Sequence, residues 1–471
     1  MKKAKRFLAA GLAGVMALAL TACGGGGSSS AAASAGASTA ASTAAPEGKV
    51  TIAYWTTNRH DQEYMTPLIE KFNETNDKNI YIDYQVYGDN YGQMLDLAFS
   101  TGTAPDVFQL SGTDALEITV KEKKHLLDLA PFMDDAYKAR FGEGAFVEGI
   151  NALGDGIYSL PYTASASRLF YNQDIFDRVG IEAPPTTMEE FVADAKLITE
   201  KLGSEGIYGT AGNFKSPASS VTRSIDMIVM RSGGTRGGFD FKTGTYDFSS
   251  YKPVLEGFRE MYATGVAFPG SESLDIDPLR TQFAAGNIGM YISISHAEPG
   301  VYASQFPTDV HWDCAQLPTV DGKVEGKQQL WFGGSNLGIN PETKYPDEAW
   351  EVMKFLHSDE VMGPYYTAGL GTLMIPSAAE SAQPPESIEK MPNLAINSDD
   401  QNWPPLPAGV VVEGKDYYTV CVEVIFGMTD VDSAIEDLNT RYNAAYDKVV
   451  EGGAERIVYP NFDPLKQDTS K

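Results

Sequence analysis

The chain of 471 residues is poor in cysteine, histidine and positive charge, and each shortage excludes a class of protein. Three cysteines are too few for a disulfide scaffold. Five histidines, His60, His125, His296, His311 and His357, form no HExxH or other close pair at ligand spacing, so no metal site is expected. Lys and Arg number 36 against 63 Asp and Glu, for a formal net charge of -27. Nucleic acid and anionic membrane surfaces are both recognised through clustered cations, so neither suits this balance. There is no Walker-type phosphate loop and no EF-hand loop. The run Gly233-Gly234-Thr235-Arg236-Gly237-Gly238 lacks the dinucleotide fingerprint and reads as a loop. Gly334-Ser335-Asn336 is not followed by the glycine that a nucleophile elbow needs. No cofactor is therefore expected. Beyond the N-terminus no stretch approaches 18 consecutive apolar residues, the length that crossing a bilayer as a helix requires.

What the sequence does have begins at its N-terminus. Lys2, Lys3, Lys5 and Arg6 precede an apolar run from Phe7 to Leu20, the layout of a secretory signal. The run ends in Leu20-Thr21-Ala22-Cys23, which resembles the lipobox of bacterial lipoproteins. That resemblance implies removal of residues 1–22 and lipidation of Cys23. Two acyl chains suffice for stable anchoring, here to the outer face of the cytoplasmic membrane at the cell surface. Residues 23–47 then form the lipidated cysteine and its tether. Gly24 to Pro46 contains only small or hydroxyl residues and no charge, so it is expected to be disordered. As a flexible coil it would span about 26 Å.

From residue 48 the pattern alternates. Val50 to Tyr54 reads as a buried strand, and Met65, Leu68, Ile69 and Phe72 make a helical stripe. Ile80, Ile82, Tyr84 and Val86 alternate as a strand, Met94, Leu95, Ala98 and Phe99 give a second helix, and Asp106 to Leu110 a third strand. Strand, helix, strand, helix, strand predicts a parallel sheet covered by helices, an α/β fold. Thr187 with Glu190 spells a capping box, and Ser433 with Glu436 predicts a second helix start. Cys314 and Cys421 lie in apolar runs that read as alternating. They are expected to be buried free thiols, with a bridge as the alternative. Trp55, Tyr91, Tyr162, Trp331 and Trp403 fall at strand ends or in loops. There a flat apolar face with a polar edge suits a pyranose ring as well as a rim or core position.

Six segments then occur in one order: Val50–Trp55 with its following helix, Gly102-Thr103-Ala104-Pro105-Asp106-Val107, Leu160-Pro161-Tyr162 with Leu169–Phe176, Phe283–Met290, Leu317-Pro318, and Phe332–Ile339. Together, from about Lys49 to Tyr459, they resemble the extracellular solute-binding proteins of bacterial ABC importers, in particular the sugar-binding family that includes the maltose-binding proteins. The resemblance implies a two-lobe periplasmic-binding-protein-like fold of type II, with discontinuous lobes joined by crossover strands. Lobe 1 would be 48–160 plus 318–370, and lobe 2 would be 161–317 plus 371–465. It implies a monomeric binding protein rather than an enzyme. A small solute, a mono- or oligosaccharide, would be held in the interlobe cleft and delivered to ABC transporter permease subunits. Carried over residue by residue, Trp55, Asn58 and His60 follow the first strand. Asp89 and Tyr91 follow the second, Ser111 and Asp114 the third. Tyr162 and Ser165 lie at the crossover, and Trp331 and Gly333 at the return. His296 falls where many sugar-binding relatives carry a stacking Trp, which leaves open a smaller or more polar, non-sugar ligand. Asn287 and Gly289 stand where the family pattern has Lys and Ala. Two other readings stay open: a sensor subunit with the same fold, and a surface-anchored glycoside hydrolase whose carboxylate pair has no fixed spacing in sequence.

Overall fold

The computed structural model describes residues 47–88, 90–110, 116–141, 145–295, 297–330, 336–467 and 469. The tether, with Cys23 at its head, lies outside them. The chain first lays down β1 (Val50–Thr56), α1 (Gln62–Thr75), β2 (Ile80–Val86), α2 (Tyr91–Thr101), β3 (Val107–Gln109) and, later, the two-residue β4 (Leu160–Pro161). It then builds β5 (Ser167–Asn172), α3 (Met188–Leu202), β6 (Tyr208–Ala211), α4 (Lys252–Tyr262), α5 (Ile276–Ala284), β7 (Ile288–Ile294) and β8 (Trp312–Ala315). It returns with β9 (Asn336–Ile339), α6 (Pro346–Leu356) and α7 (Asp359–Thr367), and ends with α8 (Tyr417–Ile425) and α9 (Val431–Glu451).

These strands form two separate sheets. The first has the order β2-β1-β3-β9-β4 and the second β8-β5-β7-β6. β1 runs parallel to β2 and β3, as the alternation predicts, whereas β9 is antiparallel to both its neighbours. Each sheet has its own core. Ile52, Ile80, Val107, Leu337 and Ile339 pack with Trp350 and Met353 of α6 on the first. Leu169 and Met290 pack with Phe191, Ile198 and Phe258 on the second. The result is two α/β lobes.

Local chemistry accounts for how α3 lies on the second sheet. Thr187 and Glu190 form the capping box that starts it, satisfying two otherwise orphaned N–H groups. Its backbone then passes so close to β6 that a Cβ on Gly209 would stand 2.0 Å from the Ala195 carbonyl oxygen. On the neighbouring strand a Cβ on Gly289 would meet Ile198 Cδ1 of α3 at 2.7 Å and the Gly209 carbonyl oxygen at 3.0 Å.

Several expectations need correction. The last long helix is capped by Asp430, whose side chain accepts from the Ser433 N–H, so the cap lies three residues before the expected one. Cys421 lies on α8 rather than in an alternating strand, because Tyr417, Val420, Cys421, Val424 and Ile425 form one buried helical face. As expected, both Cys314 and Cys421 are buried free thiols, in different core clusters. Trp403 is core, not rim: 1% exposed, with its indole N–H donating to the Lys327 carbonyl at 2.6 Å.

Residues 318–329 pack with the second lobe: the Thr319 N–H donates to the Thr186 carbonyl, and Gln328–Gln329 pair with Asp400–Gln401. Ile375 and Ala378 belong to the first core, and Leu394 to a second-lobe core. Ile375 and Leu394 are thus buried in the cores of different lobes.

Candidate functional site

The parallel strands β1, β2 and β3 end at one edge of the first sheet, and open α/β sheets bind ligands outside such carboxyl ends. The turn after β1 is fixed there by one side chain. Gln109 Oε1, at the end of β3, accepts from Thr56 Oγ1 (2.6 Å), the Thr57 N–H (2.8 Å) and Thr57 Oγ1 (3.2 Å). Residues 57–61 are thereby tied to the strand ends.

Two groups of side chains stand at this edge. In the first, the half-buried Trp55 packs against Tyr87 with ring centroids 4.6 Å apart, and Tyr87 reaches Tyr91 at 5.8 Å. Tyr91 itself is buried and its hydroxyl donates to the Gln109 carbonyl at 2.7 Å, so it braces the cluster from inside. In the second, Asn58 is buried and its amide donates to the Tyr162 hydroxyl. The Tyr162 ring stands edge-on to His357 and Tyr365, which makes it a wall of the first core. His60 Nε2 lies 3.2 Å from both the Tyr365 hydroxyl and the Leu370 carbonyl. A carbonyl only accepts, so Nε2 carries the proton. The Tyr365 hydroxyl in turn donates to Asp61 Oδ2 at 3.0 Å.

Burial sets the charge state of this chain. It lowers the His60 pKa to about 4, with Arg280 adding to the effect. It raises the Asp61 pKa to about 7. The other Asp61 oxygen, Oδ1, is buried without a hydrogen-bond partner, a position that suits a neutral carboxyl better than a carboxylate. At the crossover Ser165 is fully buried and its hydroxyl has no partner.

Of the residues singled out in sequence, the structure joins Asn58 to Tyr162, and sets His60 beside Tyr365. Trp55 and Tyr91 stand together in the aromatic group. Asp89, Ser111, Asp114, His296, Trp331 and Gly333 lie outside the described residues. Sequence reasoning missed Tyr87, Gln109, Asp61 and Tyr365. Tyr87 follows β2 directly, so the strand-end rule that picked Trp55 could have found it. Tyr365 carries no local signal, since it arrives from 305 positions beyond His60. Among the described residues no group of three or more His, Cys, Asp or Glu side chains is placed to hold a metal ion, and no helix is long and apolar enough to cross a membrane.

Comparison with known proteins follows the same outline. The family model for bacterial extracellular solute-binding proteins matches residues 55–363. The diacetylchitobiose binding protein DasA of Streptomyces coelicolor is 26% identical over 436 residues, 88% of this chain and 95% of its own. A solved structure from work on xylan utilization by a thermophilic bacterium, Caldanaerobius polysaccharolyticus, superposes with a TM-score of 0.69 at 21% identity, covering 84% of this chain and 100% of its own. The substrate-binding protein Lmo0181 of Listeria monocytogenes, solved in complex with cycloalternan, gives 0.64 at 17% identity, over 85% and 99%.

Proposed function

The chain belongs to the bacterial extracellular solute-binding proteins, and from that premise we propose that it captures a carbohydrate between its lobes and delivers it unaltered to an ABC importer. The family is one of binding proteins, not enzymes. The observation that carries the carbohydrate reading is the half-buried Trp55 face, backed by Tyr87 at the carboxyl ends of parallel strands, with Asn58 and His60 on the adjoining turn. An aromatic face takes the CH-rich side of a pyranose, and amide and imidazole groups take its hydroxyls. Relatives named for diacetylchitobiose and solved with cycloalternan support the same class. Under this reading Asp89, Ser111, Asp114, Ser165, His296, Trp331 and Gly333 supply further ligand contacts, while Tyr91 and Tyr162 support the first wall from behind.

The mechanism is a population shift. A ligand that touches both lobes binds the closed form better than the open one, and only that difference moves the equilibrium. A permease that recognises the closed pair of lobe surfaces then receives loaded protein in preference to empty. Leu20-Thr21-Ala22-Cys23 supports tethering beside that permease through lipid, which raises the local concentration. Cys23→Ser should move the protein from the membrane fraction to the medium. Equal membrane retention would remove the anchor from the account.

A thermal-shift screen across mono- and oligosaccharides, amino acids, polyols and sugar phosphates tests the ligand class. Stabilisation by a saccharide is expected, about 2.7 kcal/mol at a hundredfold excess over Kd. Stabilisation by another class alone would overturn the carbohydrate reading. With the ligand found, Trp55→Ala should weaken binding about 30-fold, ~2 kcal/mol, the usual loss for a central aromatic anchor. An unchanged Kd in calorimetry would take Trp55 out of the site.

A further inference from the structure

The two lobes meet through a charged chain that the ligand reading does not use. Arg59, on the turn after β1 of the first lobe, places Nη1 2.9 Å from Asp277 Oδ2 on α5 of the second. The other Asp277 oxygen lies 3.2 Å from Arg280 Nη1, one helical turn along. Arg280 is buried and already committed: its Nε and Nη2 donate to the Glu298 carboxylate at 3.1 and 2.8 Å. Glu298 is fully buried and also accepts from the Ser293 hydroxyl. Beside this chain the two lobes approach closely, for a Cβ on Gly300 would stand 3.2 Å from Leu370 Cδ2 and 3.8 Å from the His60 carbonyl oxygen.

The charges do not balance within the second lobe. Asp277 and Glu298 supply two negative charges and Arg280 one positive, so the lobe presents a socket with one negative charge left over. Its geometry is fixed in advance, because the bidentate Arg280–Glu298 pair holds the Arg280 guanidinium and so orients Asp277. Arg59 supplies the missing positive charge from the other lobe. It comes from a turn that Gln109 ties to the strand ends, so it arrives in a defined place. Opening the lobes would part Arg59 from Asp277 and leave the socket intact.

We propose that Arg59 and Asp277 form a closing latch, an ion pair made when the lobes approach, which raises ligand affinity by populating the closed form without touching the ligand. The inference rests on the two-lobe capture reading but not on the ligand being a carbohydrate. Both residues are positioning residues, and their pairing is partly exposed, so its effect is modest and sensitive to salt.

The test needs no ligand. In the full chain with Cys23→Ser, dyes are attached at Leu97→Cys on the first lobe and Met428→Cys on the second. Both sites are exposed, and the native Cys314 and Cys421 are buried. Single-molecule energy transfer then reads the closed fraction. Arg59→Gln and Asp277→Asn should each lower the closed-to-open ratio about two- to fivefold, the double variant no further than either single one. Raising the salt from 50 mM to about 1 M should lower the ratio in the parent chain but not in the variants. Arg59→Lys should retain most of the closed population. Identical distributions in the parent and Arg59→Gln chains would overturn the latch, as would additive effects of the two single substitutions. Because the readout is ligand-free, a failed saccharide screen leaves this result unaffected, and a failed latch leaves the screen unaffected.

Discussion

Asp400→Ala should destabilise the second lobe by about 3–5 kcal/mol, because it strands a buried guanidinium. Arg168 on β5 is fully buried, and its Nη1 and Nη2 donate to Asp400 Oδ1 and Oδ2 at 3.1 and 2.7 Å. Its remaining donors go to the carbonyls of Ser167, Asn393 and Ala395, so a single side chain ties the 393–400 segment to the sheet. Asp400 also accepts from the Gln328 amide and the Asn397 N–H. Removing the carboxylate leaves a charge and the Gln328 amide buried without their acceptor, and such groups cannot recover water. Urea unfolding of the parent chain and of Asp400→Ala measures the loss. Lys390→Ala, which breaks an exposed ion pair, serves as the control and should stay within about 0.5 kcal/mol. A similar small change for Asp400→Ala would show that the segment is held by packing, not by this pair.

The second large effect depends on pH. Burial lifts the Asp61 carboxyl from its ordinary 3.8 to about 7. Its folded pKa is therefore above its unfolded one, so its contribution to stability is complete below about pH 4 and is lost as the pH rises through 7. A three-unit displacement corresponds to about 4 kcal/mol across that window. Asp61→Asn keeps an acceptor for the Tyr365 hydroxyl but removes the titration. The stability of the variant relative to the parent should thus rise by up to about 4 kcal/mol between pH 4 and pH 8. The depressed pKa values of His60 and His357 act in the opposite direction, losing stability as the pH falls from 6.5 towards 4. They are common to both chains and cancel in the difference. Parallel unfolding curves across the range would show that Asp61 is charged throughout.

Much of the first sheet was readable along the chain. β1, α1, β2, α2 and β3 occur in the order the pattern predicts; Ile52, Tyr54, Met65, Ile69, Ile80, Ile82, Leu95 and Ala98 are buried, whereas Leu68, Phe72, Tyr84, Val86, Met94 and Phe99 are half-buried at the margins of the stripes. The capping box at Thr187 was readable because its chemistry is complete within four residues. At the last helix two acceptors compete. Asp430 takes the Ser433 N–H, so Ser433 becomes an interior first-turn residue instead of the cap. β4 spans only two residues, too few for any period to show, and it exists because Asn336 and Leu337 pair with it. The packing of residues 318–329 was not readable for a related reason. Thr319 is held by Thr186, and Gln328 by Asp400, through contacts across long sequence separations. The candidate site shows the same limit. His60 carries a local signal, but the partners that fix its state, Tyr365 and Leu370, come from a distant helix and the turn after it.

Reversible capture of an intact saccharide in a single site can be measured outright. Calorimetric titration of the purified protein with the saccharide selected by the screen, followed by release and chromatography of the bound ligand, addresses it most directly. One site per chain and full recovery of the unchanged saccharide are expected. New reducing ends in the released material, or no saturable heat with any saccharide, would contradict it.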